Sequence, residues 1–92
     1  MARLQISCIT KTGMDSPVER ISHISGFSSG TRWTHSVDDA ISRLEHGVNT
    51  YYIRFGVLEA NVILAKHNRN KYLKTDSDTP QTDYLMSLPV CP

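Results

Sequence analysis

One amphipathic helix with clear start and stop signals constrains this chain of 92 residues more than any other feature of its sequence. Its apolar positions follow the i, i+3, i+4, i+7 spacing of one helix face, and they are Val37, Ala40, Ile41 and Leu44. Ser36 is a good N-cap residue, and Asp39 completes a Ser-x-x-Asp variant of the capping box. Gly47 stands where a glycine lets the chain leave a helix. The sequence therefore predicts a helix over residues 36–46.

The segments around this helix carry strand patterns. Alternation and strand-forming residues predict strands over 3–11, 18–27, 51–57, 61–66 and 71–75, with a short extended piece at 31–34. Turns are expected at 12–17, 58–61 and 67–70, and a mobile Gly/Ser-rich connection at 25–31. A helix over 57–66 is the alternative for that region, because several of its residues have good helix propensity.

The element order β-β-α-β-β-β predicts an α+β fold, in which one helix packs on a mostly antiparallel sheet of about five strands. A chain of this length is expected to form a single domain over 1–92. We divide it into an α+β core, 1–75, and a proline-containing ordered tail, 76–92. A helical turn is predicted at 82–86, and Tyr84, Leu85 and Leu88 are expected to fold back on the core.

Charge and hydropathy exclude several classes of protein. Ten Lys and Arg against nine Asp and Glu give a net charge of +1, which excludes a strongly basic tail and an acidic solvating chain. The longest apolar run, Val62–Ala65, is far too short to span a membrane. The first residues lack the apolar region of a secretory signal, so we expect a cytoplasmic location and reduced thiols at Cys8 and Cys91.

Thiol and imidazole side chains suggest a metal site or a hydrolytic centre as one function. Cys8, His23 and Cys91 are suitable zinc ligands, with His35, His46 or His67 as a fourth. No paired Cys-x-x-Cys or His-x-x-x-His spacing supports such a site, and no nucleophile motif surrounds any serine. The alternative is that Cys8 is a small core residue and Cys91 holds the tail against the sheet. We therefore expect no cofactor and assign no catalytic residue.

Four basic side chains lie within the nine residues 66–74 and suggest a second function, weak nucleic-acid binding. The residues of this candidate site are Arg54, Lys66, Arg69, Lys71, Tyr72 and Lys74. Lysines that protect an edge strand from aggregation are the alternative explanation, and Asp76, Asp78 and Asp83 would weaken the positive field. An exposed Tyr52/Tyr72 pair beside Arg54 would instead favour a partner-binding face.

Small size, near-neutral charge and the lack of a catalytic motif make a non-enzymatic interaction module the leading functional hypothesis. Its sheet surface or its Ser/Gly loop would bind a protein partner or a second copy of the chain, and no membrane is involved.

Motifs distributed over nearly the whole chain resemble those of a family of short, mostly bacterial proteins, the domain of unknown function 3892. The strings that carry the resemblance are Lys71-Tyr72-Leu73-Lys74-Thr75-Asp76, Thr79-Pro80, Leu85-x-Ser87-Leu88-Pro89-x-Cys91, Ile6-x-Cys8-Ile9-x-Lys11, Ile21-x-His23-Ile24-x-Gly26, Trp33 and the Ser-Val-x-x-Ala-Ile helix start at 36–41. The sequence departs from the family pattern at Phe27, where a second glycine is expected, and at the longer polar link 81–83. The resemblance implies no activity and no catalytic residue.

Overall fold

The computed structural model of the chain describes residues 2–13, 20–67, 69–77 and 84–91. Within these ranges the chain forms seven strands and one helix. They are β1 (Ala2–Gln5), β2 (Cys8–Lys11), β3 (Ile21–Ser28), β4 (Thr31–Ser36), α1 (Val37–Glu45), β5 (Asn49–Phe55), β6 (Leu58–His67) and β7 (Asn70–Thr75). The predicted α+β class is confirmed. Residues 14–19 of the predicted first turn and second strand, and residues 82–83 of the predicted helical turn, lie outside the described residues.

The strands form two sheets, so the prediction of one sheet with about five strands is wrong. One sheet has the order β1-β5-β6-β7 and the other β2-β3-β4. The difference begins in the predicted strand 3–11, which passes from one sheet to the other. Ile6 N–H donates to the Tyr52 carbonyl at 2.9 Å, whereas Ser7 N–H donates to the Ser25 carbonyl at 2.8 Å. This change of partner interrupts the alternation, which is why both Ile6 and Ile9 are buried.

Two hairpins differ from their predictions. The expected mobile connection at 25–31 is a tight hairpin, in which Ser28 pairs with Thr31. Both turn residues, Ser29 and Gly30, have the positive φ that a type I′ turn requires. The expected turn at 58–61 is part of β6, because Phe55 pairs with Leu58 and the chain turns at 56–57 instead. This extended pairing also shows that the alternative helix over 57–66 is wrong.

The helix follows its sequence signals closely. Ser36 Oγ accepts a hydrogen bond of 3.1 Å from Asp39 N–H at the helix start. At its end, Gly47 N–H donates to the Leu44 carbonyl and Val48 N–H to the Arg43 carbonyl, which is the Schellman pattern. The helix contacts each strand from β3 to β7, and Ala40 and Ile41 are buried in the core between the sheets.

The chain segment 84–91 packs on this core. Leu85 and Leu88 are buried, and Val90 forms a parallel bridge with Ile9 of β2. A turn closed by a hydrogen bond from Ser87 N–H to the Tyr84 carbonyl starts the segment. The one helix in the described part of the chain is not long and apolar enough to cross a membrane.

Candidate functional site

The two faces of the four-stranded sheet differ sharply in their exposure. The inner rows face the helix, and six of their side chains are buried: Tyr51, Ile53, Ala60, Val62, Leu73 and Thr75. The opposite rows define what we call the outer face: Arg3, Tyr52, Arg54, Glu59, Asn61, Ile63, Tyr72 and Lys74. All of these outer-face side chains are exposed or half-buried. Within the described part of the chain, the outer face is therefore open to solvent.

Two arginines on the outer face share one carboxylate. Glu59 lies 2.6 Å from Arg3 Nη1 and 3.2 Å from Arg54 Nη2. The Arg3 guanidinium also lies 3.9 Å from the centre of the Tyr52 ring, within the range of a cation–π contact. Hydrogen bonds from Arg3 and Arg54 lower the pKa of the Glu59 carboxyl. Glu59 is therefore ionised near neutral pH and holds the two guanidinium groups side by side.

The six residues of the predicted basic site do not form one cluster. Arg54 pairs with Glu59 in the first part of β6. Tyr72 and Lys74 lie on the same outer face, but they pair with Ala65 and Ile63 in the second part of that strand. The outer face therefore holds the predicted tyrosine pair, Tyr52 and Tyr72, without bringing all the predicted cations together.

The remaining three predicted cations lie at the end of the β6–β7 hairpin. Lys66 and Lys71 are directly opposite each other on the side of the sheet that faces the helix. Lys71 forms an ion pair with Glu45 of the helix, and this hydrogen bond lowers the pKa of the Glu45 carboxyl. Arg69 lies in the turn with a φ of 71°. Of the predicted turn at 67–70, Asn68 lies outside the described residues.

The predicted metal ligands separate into a disulfide and an exposed imidazole. Cys8 and Cys91 are joined by a disulfide with a Cα–Cα distance of 5.0 Å, so the expectation of reduced thiols is wrong. The bridge between Ile9 and Val90 brings the two cysteines together, which no sequence spacing indicated. His23 lies on β3, where Nδ1 shares a hydrogen bond of 2.9 Å with the Ser22 hydroxyl.

The described residues contain no group of three or more His, Cys, Asp or Glu that could hold a metal ion. The disulfide also removes the two thiolates that a zinc ion would bind. Of the alternative fourth ligands, His46 bonds to the Ser42 carbonyl at the helix end and His67 lies at the β6–β7 hairpin end.

His35, the third alternative, belongs to a polar aromatic cluster that the sequence did not indicate. Its Nδ1 shares a hydrogen bond of 2.7 Å with the hydroxyl of Tyr51, which is fully buried. The Trp33 ring lies 4.8 Å from the His35 ring and 5.6 Å from the Tyr51 ring. Only the contacts of Trp33 and His35 on β4 with Tyr51 on β5 reveal this cluster.

Burial sets the protonation of this cluster. Burial, supported by the charge of Arg43, lowers the pKa of the His35 imidazole. Burial raises the pKa of the Tyr51 phenol, against a smaller opposite effect of the Asn49 amide. Both rings are therefore neutral near pH 7, and their hydrogen bond joins two uncharged groups inside the protein. The cluster joins β4 of one sheet to β5 of the other.

The described residues form two sheets around one helix, with the outer face of one sheet exposed, and they define a small α+β protein. The chain belongs to the family described as Protein of unknown function (DUF3892), whose model matches residues 5–89. The resemblance inferred from the sequence motifs is thus confirmed. Comparison with curated proteins and with solved structures gives no match.

Proposed function

We propose that this protein is a small, non-enzymatic, cytoplasmic interaction module, and that its outer face binds a second copy of the same chain. One observation carries the proposal: the helix covers the inner face of the four-stranded sheet, whereas every outer-face side chain is exposed or half-buried. An open sheet face with aromatic and arginine side chains has the composition of a protein interface.

The chemistry of the outer face fits a second copy because the face is self-complementary. Tyr52, Tyr72 and Ile63 supply rigid and apolar contact area, and Ile63 is 39% exposed. The surrounding charges have both signs: Arg3 and Arg54 are positive, and Glu59, which pairs with both, is negative. A two-fold interface places a surface against itself, so it needs charges of both signs. The net charge of +1 adds little repulsion between copies.

Replacing both Ile63 and Tyr72 by threonine tests this proposal. Threonine keeps a strand-forming side chain but removes apolar contact area, so we expect the dissociation constant of the dimer to rise at least tenfold, which is about 1.4 kcal/mol. Sedimentation equilibrium over a range of concentrations measures this constant, and circular dichroism checks that the variant is folded.

Phe27→Thr is the matched control. Phe27 is 63% exposed on β3, in the other sheet, so its replacement should leave the dimer unchanged. A protein that sediments as a monomer at every concentration, or a dimer that Phe27→Thr weakens and the double variant does not, would contradict the proposal.

Nucleic-acid binding by the β6–β7 hairpin end is the second candidate. Its supporting observation is the direct opposition of Lys66 and Lys71, since like charges across a strand pair destabilise a sheet. Glu45 compensates Lys71, and the exposed Lys66 and Arg69 are then available to phosphates. The pairing of Arg54 with Glu59 and of Lys71 with Glu45 reduces the positive field, which is why we rank this candidate second.

Fluorescence anisotropy with a labelled single-stranded RNA tests the second candidate at two salt concentrations. We expect Lys66→Gln to weaken binding and to reduce the slope of log K against log salt by about 1. Arg32→Gln, a change of an exposed cation on β4, is the control and should have no effect. Binding that is absent at low salt, or equally weakened by both variants, argues against the hairpin end as a nucleic-acid site.

A further inference from the structure

We propose that the Cys8–Cys91 disulfide is a redox-controlled clasp, which holds residues 84–91 on β2 when it is oxidised and releases them when it is reduced. The two cysteines are 83 positions apart, and the cross-link is the single covalent tie between β2 and the segment 84–91. The clasp involves the three-stranded sheet and is independent of the outer face of the other sheet.

Two backbone hydrogen bonds join residues 89–91 to Ile9 of β2. Ile9 N–H donates to the Pro89 carbonyl at 3.0 Å, and Cys91 N–H donates to the Ile9 carbonyl at 2.8 Å. Burial of Leu85 and Leu88 adds apolar contact. A short segment outside the named strands of the two sheets opens locally more readily than the strands of a core. The disulfide keeps the segment beside Ile9 despite this tendency.

The disulfide is placed where a reductant can reach it. Both cysteines are half-buried rather than buried. Arg32 Nη2 lies 3.9 Å from Cys8 Sγ, and a cation at this position stabilises the thiolate that leaves when the disulfide is attacked. The geometry therefore favours attack at Cys91 Sγ with Cys8 as the leaving group.

Reduction by a dithiol proceeds in two exchange steps. A thiolate of the dithiol attacks Cys91 Sγ, so that a mixed disulfide forms and the Cys8–Cys91 bond breaks to release the Cys8 thiolate. The second thiolate of the dithiol then attacks the mixed disulfide and releases Cys91. Two electrons pass from the dithiol to the protein, the dithiol becomes a disulfide, and the two cysteine thiolates take up its two protons.

Release of the segment exposes one edge of β2. The other edge of β2 pairs with β3, whereas Ile9 N–H and C=O would lose their partners in segment 84–91. An unpaired strand edge next to newly exposed leucines is a site where a further strand can add. In a reducing cytoplasm the clasp is open and oxidation closes it, which matches the redox-sensing role typical of cytosolic disulfides.

Hydrogen exchange of the wild-type protein, oxidised and after treatment with dithiothreitol, tests the clasp. We expect amides of residues 84–91 to exchange at least about tenfold faster after reduction. Peptides that cover the β5–β6 hairpin, residues 52–61, are the internal control and should exchange at the same rate in both states. Alkylation followed by mass measurement should find two modified cysteines after reduction and none before it.

The double variant Cys8→Ser/Cys91→Ser, treated with an oxidant, should exchange like the reduced wild-type protein and should not respond to dithiothreitol. If this variant fails to fold, the wild-type comparison is sufficient. Exchange in 84–91 that does not change on reduction overturns the proposal. So does reduction that accelerates exchange in 52–61 equally, because the disulfide would then stabilise the whole fold rather than hold one segment.

Discussion

Replacing Gly26 by alanine is expected to destabilise the protein by about 3 kcal/mol, because the position lies where the two sheets meet. A Cβ at this glycine would lie 2.1 Å from the Gln5 carbonyl oxygen and 2.8 Å from the Trp33 ring. The tryptophan ring can shift, but the carbonyl belongs to the backbone of the segment that changes sheets. Relief of the clash therefore requires β1 and β3 to separate.

Urea denaturation, monitored by the fluorescence of Trp33, measures this loss of stability, because Trp33 is the one tryptophan of the chain. A change of this size is large against the total of about 5–14 kcal/mol expected for a chain of this length. Phe27→Ala is the control at the next position, where the side chain is exposed, and should change the free energy of unfolding by less than about 0.5 kcal/mol. Equal stability of Gly26→Ala and wild type would show that the sheets do not approach as closely as this.

Leu85→Ala is expected to have the second large effect and to lower the free energy of unfolding by about 3 kcal/mol. Leu85 is 0% exposed, although it follows the seven described strands in the sequence. Removing its side chain atoms loses apolar burial and leaves a cavity that the disulfide-linked segment cannot fully close. Val90→Ala, in the same segment with a 57% exposed side chain, should cost less than about 0.5 kcal/mol.

Leu85→Ala and Val90→Ala are each compared with the wild-type protein by urea denaturation in the oxidised state, so that the disulfide is intact in all three. If Leu85→Ala and Val90→Ala prove equally mild, residues 84–91 would lie on the surface and would not contribute to the core.

Local signals predicted the helix and its ends because the interactions that define them lie within the element. The Ser36 cap bonds Asp39 three residues on, and the end at Gly47 depends on carbonyls of the last helical turn. The hairpin at 67–70 and the strand class of β5, β6 and β7 were predicted for the same reason, since neighbouring residues pair across a short turn. The turn at 56–57 was missed because a single glycine between strand formers is a weak local signal.

The candidate sites were less predictable because their members come from separate elements. The sequence placed Arg54 with Lys66–Lys74 as one basic group, whereas strand register divides them between two faces and pairs two of them with Glu59 and Glu45. The hydrogen bond between His35 and Tyr51 joins β4 to β5 across the helix that separates them in sequence. No periodicity encodes a contact of this kind.

The sequence by itself determined the α+β class, the capped helix and the family, because propensity, capping and motifs are local properties of the chain. Only the tertiary structure decided that the strand at 3–11 contributes to two sheets, that the outer face is exposed in the described part of the chain, and that Cys8 and Cys91 form a disulfide. These features depend on which strands become neighbours, and that choice is made by the burial of the whole core, to which residues far apart in the sequence contribute together.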